Sequence, residues 1–171
     1  ICLKTNRVIM TTFNLDSKKH TLRLLHHNVA IVSSGHGANA CGATVTWFTQ
    51  SSFDPPLVTM AIRADSRLYT VIAENRELVI SLVTKGDDDL AAVFFKPGTW
   101  DGDHFGGYKA KPHILGGAII ENSPAWLAAK VKTIVEEGDH HIIISEVVDS
   151  GINNESAEAM CLSETGWHYG G

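Results

Sequence analysis

Residues 41–56 read CGATVTWFTQSSFDPP. Small and hydroxylated residues, Gly42, Ala43, Thr44, Thr46, Thr49, Ser51 and Ser52, surround one bulky aromatic, Trp47, and Asp54-Pro55-Pro56 closes the run. Such residues let a backbone approach a flat ligand closely and offer it hydroxyls. The run also alternates, with Ala43, Val45 and Trp47 on one face and Thr44, Thr46 and Phe48 on the other, as any half-buried strand does. Taken alone, the residues admit both readings.

Outward from this run, Asn28 to Ser34 is short and β-branched and reads as a buried strand, and Gly35-His36-Gly37 turns the chain into the run. Before it, Leu22 to Leu25, preceded by Asp16 and Ser17, starts a short helix or an extended lead-in. After the prolines, Leu57 to Arg63 sets Val58, Met60 and Ile62 against Leu57, Thr59, Ala61 and Arg63, a strand on period two. The period then changes. Asp65 or Ser66 caps a helix through Glu74, with Leu68, Val71 and Ile72 at helical spacing. Leu78 to Val83 returns to strand, and Asp87-Asp88-Asp89 ahead of Leu90 to Phe95 is an acidic helix start. Lys96 to Lys111, rich in Gly and carrying Trp100, His104, Phe105 and Tyr108, reads as a long irregular loop that borders a ligand or a partner chain. Ile114 to Glu121 is strand-like. Leu127 to Val135 alternates as a strand, Gly138-Asp139 turns, and His141 to Val148 returns as the second strand of a hairpin. Several antiparallel strands, few helices and no repeated β-α-β unit predict a mainly β fold with minor helix, closed or nearly closed into a barrel. No G-x-G-x-x-G opens a helix after a strand, so a Rossmann nucleotide site is not supported.

The 171 residues suffice for one domain with a sizeable core. Apolar content of 44%, charged content of 19% and mean hydropathy near zero are ordinary for a globular protein, and no apolar run is long enough to span a bilayer. A net charge of -5 argues against nucleic acid as a partner. Three separated cysteines, Cys2, Cys41 and Cys161, and no signal peptide point to the cytoplasm. The chain starts at Ile1 with its first methionine at Met10, so residues 1–9 are either appended sequence or part of a longer protein, and both readings stay open. His26-His27 and His140-His141 do not make a metal site, because neighbouring side chains on a strand face opposite ways and no ligand partners are spaced for one. Cys41 lacks a local partner that would make it a nucleophile.

Cys41-Gly42-Ala43-Thr44-Val45-Thr46-Trp47, then Ser52-Phe53-Asp54-Pro55-Pro56, then Gly138-Asp139-His140 ahead of a strand, resemble the flavin reductase-like family of FMN-binding split-barrel flavoproteins, which includes flavoredoxin. That family carries N-G-M-T-x-S-W, a hydroxyl-rich run, S-x-D-P-P and a G-D-H element. Cys41, Ala43 and Thr46 depart from its common Asn, Met and Ser. The resemblance covers about Asn28 to Val148.

It implies an FMN-binding split β-barrel with a few short helices, as a single domain over residues 13–171 behind a lead-in over 1–12. It implies FMN as cofactor, with FAD as the alternative, and NADH or NADPH as electron donor. An isoalloxazine needs flat apolar contact and donors at its polar edge, and the resemblance assigns these to Thr44, Val45, Thr46, Trp47, Ser51 and Ser52. For the phosphate it points to Arg63, Ser66 and Arg67, where a strand turns into a helix; without the resemblance, the trio is a solvated turn with an ordinary cap. His140 would contact the nicotinamide or steer a proton, where a lone turn histidine is otherwise structural. Asp103-His104-Phe105 resembles the family's D-K-F, with His replacing Lys. The aromatics in Gly166 to Gly171 fold over the barrel or a dimer interface, or form a loose tail. The function implied is an NAD(P)H:flavin reductase-like oxidoreductase. Alternatives are an FMN-holding electron-transfer module without strong NAD(P)H activity and a barrel that binds another ligand. A homodimer and an electron-acceptor protein are the partners the resemblance suggests; no membrane is expected as one.

Overall fold

A computed structural model of the chain describes residues 13–170, so the lead-in expected over residues 1–12 lies outside the described residues. Helix α1 (Leu15–Arg23) leads to strands β1 (Ala30–Ser34), β2 (Cys41–Val45), β3 (Phe48–Ser52) and β4 (Leu57–Arg63), helix α2 (Arg67–Asn75), β5 (Glu77–Leu82) and helix α3 (Asp88–Val93). Four short strands follow, β6 (Trp100–Asp101), β7 (His104–Phe105), β8 (Tyr108–Pro112) and β9 (Ala118–Ile120), and then the long hairpin of β10 (Ala125–Val135) and β11 (His140–Ile152).

Seven strands form one antiparallel sheet in the order β2-β1-β5-β10-β11-β4-β3. Its two edge strands, β2 and β3, are consecutive in sequence with only Thr46 and Trp47 between them. Three Cα steps of about 3.8 Å keep Val45 and Phe48 within about 11 Å of each other, so the sheet curls until its edges nearly meet. The edges do not pair. Thr44 N donates to Phe94 O at 3.0 Å, and Gly42 and Gly98 exchange backbone bonds at 3.0 and 2.8 Å, so the 94–98 segment occupies the outer side of β2. Meanwhile β3 stays with β4. The barrel is therefore split at Thr46–Trp47. The single strand expected through Ala43 to Phe48 is corrected to two, because the chain changes sheet edge in the middle of its alternation.

Strand β1 is buried at all five positions because both of its faces are covered. Ala30 and Val32 enter the barrel core with Met60, Ile62, Leu78, Ile80 and Ile143, while Ile31 joins a second core with Phe94, Phe105, Ile120 and Met160. In β4, Val58, Met60 and Ile62 are the buried positions, as their spacing requires. Ser66 caps α2 by accepting Tyr69 N at 3.1 Å, which sets Leu68 and Ile72 into the barrel core. Asp87 caps α3 by accepting Leu90 N at 3.3 Å.

Lys96 to Lys111 is not the irregular loop expected. It forms β6, β7 and β8, which with β9 make a four-stranded meander. Gly102 and Gly106, at φ of 62° and 59°, form its two hairpin turns, which explains the glycine content that reads as a loop. Phe105 is fully buried and stacks on Phe94 at 5.8 Å. This segment's aromatics thus serve mainly the second core. Among the described residues no helix is long and apolar enough to cross a membrane.

Candidate functional site

A cleft of about 670 Å³ opens at the split of the barrel, inside the range of roughly 300–1,000 Å³ common for small-molecule sites. Thr44 to Trp47 form one wall, the end of β4 and the start of α2 a second, and Phe94, Phe95 and Pro97 a third. His140 and the C-terminal residues Trp167, His168 and Tyr169 close it. Strand register explains the convergence. His140 pairs with Arg63 at the end of β4, and Trp47 O accepts Ala61 N at 2.9 Å, so both lie on neighbouring rungs.

Thr44, Val45, Thr46, Trp47, Arg63, Ser66, Arg67 and His140 all line this cleft. Ser51 and Ser52 do not. Pairing of β3 with β4 carries them away from the split, and Ser51 Oγ instead accepts from Thr59 Oγ1 at 2.7 Å. His104, itself exposed on β7, lies beside Asp103 at 2.7 Å and also stands outside the cleft.

Within the wall, Thr44 Oγ1 donates to Ala91 O at 2.6 Å. Thr46 Oγ1 and Trp47 Nε1 are shielded from water and have no hydrogen-bond partner among the described residues. The polar corner is asymmetric. Arg63 grips Asp65 through Nε at 3.0 Å and Nη2 at 2.6 Å. This pair holds the Asp65 carboxyl below its ordinary range and the guanidinium above its own. Arg67, in the first turn of α2, makes no ion pair among the described residues. Ser66 Oγ, besides capping the helix, donates to Arg63 O at 2.8 Å.

At the other end, the His140 side chain is only 13% exposed. Its Nδ1 lies 2.8 Å from Asp139 Oδ1 and its Nε2 lies 2.7 Å from Tyr169 Oη. Its ring sits 4.6 Å from Trp47. The bond to His140 holds the Asp139 carboxyl low, and burial pushes the Tyr169 hydroxyl up. Burial also lowers His27, whose ring lies 6.1 Å from Trp47. Cys41 is buried, and desolvation pushes its thiol up, the opposite of what a nucleophile needs. Among the described residues no three His, Cys, Asp or Glu side chains group as metal ligands would.

Sequence reasoning missed Phe94, Phe95 and Leu162, which contribute apolar wall with no polar signature. It anticipated that the tail aromatics could fold over the barrel but singled out neither Trp167 nor Tyr169.

A family model described as the flavin reductase like domain matches residues 13–169. The chain is 28% identical over 145 residues to an NADH:FMN oxidoreductase of Rhodococcus erythropolis, covering 82% of this chain and 73% of that protein. It is 25% identical over 144 residues to diflavin flavoprotein A 1 of Synechocystis sp., covering 81% of this chain and 25% of that one. The chain spans about a quarter of the length of the diflavin flavoproteins it matches. In fold it resembles an NADH:FAD oxidoreductase of Streptomyces globisporus, with a TM-score of 0.74 and 22% identity over 88% of this chain and 86% of that one.

Proposed function

The chain belongs to the flavin reductase like domain family, and from that premise we propose that it is an NAD(P)H-dependent flavin reductase with FMN as its flavin and FAD as the alternative. The observation that carries this reading is the cleft at the split, where Thr46 Oγ1 and Trp47 Nε1 lack partners within the chain. Buried polar groups are nearly always satisfied, and the polar edge of an isoalloxazine would satisfy these. The residues fit the group.

Thr44 to Trp47 would hold the ring, with the orphaned Thr46 hydroxyl and Trp47 indole as its donors. Arg67 and the amino end of α2 would hold the phosphate, with Ser66 shaping that end. When bound, the flavin accepts a hydride from NADH or NADPH and passes electrons onward. The chain's own task is orientation and exclusion of water. Phe94 and Phe95 wall the site, and His140, fixed beside Trp47, would meet the nicotinamide. Hydride transfer needs no protein nucleophile, in keeping with the inert Cys41. The Rhodococcus relative, named for NADH and FMN, supports that pair.

The second reading is an FMN-holding electron-transfer module that exchanges electrons with a protein acceptor. It is favoured by the matches in which this length is one quarter of a longer flavoprotein. We also propose a homodimer, supported by Phe53 and Ile114, which are 91% and 88% exposed, and by an α1 that buries no residue. Residues 13–171 are proposed as one domain, and the free thiols of Cys41 and Cys161 support a cytoplasmic setting.

Steady-state oxidation of NADH and of NADPH, with and without free FMN, tests the reading. Flavin-dependent consumption of either nucleotide supports the reductase. Tight flavin binding without consumption favours the module, and neither binding nor consumption refutes both.

A further inference from the structure

We infer that Tyr169, delivered by the C-terminal segment, is a positioning residue that holds the His140 imidazole in one orientation by donating to Nε2, while Asp139 keeps the ring proton on Nδ1. The inference rests on the reading of His140 as the group that meets the nicotinamide. An ionised carboxylate can only accept, so Asp139 Oδ1 at 2.8 Å requires a proton on Nδ1. In the neutral ring Nε2 is then an acceptor, and the Tyr169 hydroxyl at 2.7 Å is its donor. Burial, which keeps that hydroxyl protonated, agrees. Both ring nitrogens are thereby engaged within the chain. The ring is also held between two aromatics, Trp47 at 4.6 Å and Tyr169 at 5.7 Å.

The C-terminal segment reaches this point by a series of anchors. Leu162 N donates to His27 O at 2.8 Å, and Lys85 pairs with Glu158 and Glu164 at 3.1 and 2.9 Å. Trp167 packs edge-on against Phe95 at 4.9 Å. Gly170 then passes so close to Trp47 that a Cβ there would overlap the indole, while Tyr169 meets the same indole at 5.3 Å. A nicotinamide docking on His140 would meet a ring whose tautomer is set by its neighbour Asp139 and whose plane is held by a residue 29 positions further along the chain.

Tyr169→Phe keeps the aromatic ring and removes only the hydroxyl. In the full chain with ¹⁵N-labelled histidine, the His140 ring resonances are assigned by their loss in His140→Asn. The wild type is expected to carry its proton on Nδ1 with Nε2 hydrogen-bonded. In Tyr169→Phe the Nε2 resonance is expected to move toward that of an unbonded imine nitrogen while Nδ1 keeps its proton. The KM for the nicotinamide nucleotide is expected to rise about fivefold, the size of one net hydrogen bond. A wild-type ring protonated on Nε2, an Nε2 resonance indifferent to the substitution, or a shifted resonance with unaltered KM would each overturn the inference. If the wild type consumes no NAD(P)H, the reductase reading fails separately, and the Nε2 resonance alone decides whether Tyr169 holds His140.

Discussion

Replacing Arg67 by Gln should weaken FMN binding about tenfold while leaving riboflavin binding unchanged. Arg63 and Arg67 both line the polar corner, but Arg63 is already engaged by two contacts to Asp65 at 2.6 and 3.0 Å. Arg67 is the cation in that corner left without an acidic partner among the described residues, and it sits in the first turn of α2, where the helix dipole also favours an anion. A hydrogen bond to a charged group contributes about 1.5–3 kcal/mol. Arg67 is solvent-exposed, so screening places it at the lower end. About 1.4 kcal/mol corresponds to tenfold in Kd. Titration by quenching of flavin fluorescence measures both ligands, and because riboflavin lacks the phosphate it isolates the contribution of this corner. The difference should shrink as salt is raised. The companion Asp65→Asn frees the Arg63 guanidinium and should tighten FMN roughly two- to fivefold, within the range of an exposed ion pair. Equal loss of FMN and riboflavin in Arg67→Gln, or no loss of either, would refute the assignment of this corner to a phosphate.

Phe94→Ala removes a fully buried ring stacked on Phe105 and should cost about 3–5 kcal/mol, read as a lower urea midpoint. Asp65, Asp139, Asp149 and Glu164 all have their carboxyls held below the ordinary range by cationic or hydrogen-bonding partners in the fold. Their contribution is complete above the unfolded-state values near about 4 and is lost as pH falls through the lower folded-state values. The urea midpoint should therefore drop as pH is lowered below about 4, and Lys85→Met, which removes the partner of Glu164, should lessen that dependence. Sedimentation velocity should report a dimer, and Phe53→Ser with Ile114→Ser should shift it toward monomer if those exposed side chains form the contact.

The parts of the fold legible in the sequence were those fixed by local chemistry. The alternation of Val58, Met60 and Ile62 located β4, and the Asp65-Ser66 pair, of which Ser66 is the cap, and the carboxylate of Asp87 located the starts of α2 and α3, because periodicity and capping act within a few residues. Gly138-Asp139-His140 similarly marked the turn of the long hairpin. What failed depended on distant segments. The break at Thr46–Trp47 exists because residues 94–98 take the outer side of β2, and no local alternation carries that information. Ser51 and Ser52 have the composition of a ligand wall, yet strand pairing takes them away from it. The glycines of Lys96 to Lys111 form hairpin turns as readily as they loosen a loop. Tyr169 reaches His140 only through tertiary folding of the C-terminal segment, so spacing along the chain gave no hint of the contact.

The central claim is that the split of the barrel seats a flavin for reduction by a nicotinamide nucleotide. It is tested most directly by adding FMN to the purified protein, recording the absorbance spectrum, and then adding NADH and NADPH in turn without oxygen. The account predicts a perturbed, protein-bound flavin spectrum that bleaches rapidly with one of the nucleotides. An FMN spectrum identical to that of the free flavin, with no bleaching by either nucleotide, would contradict it.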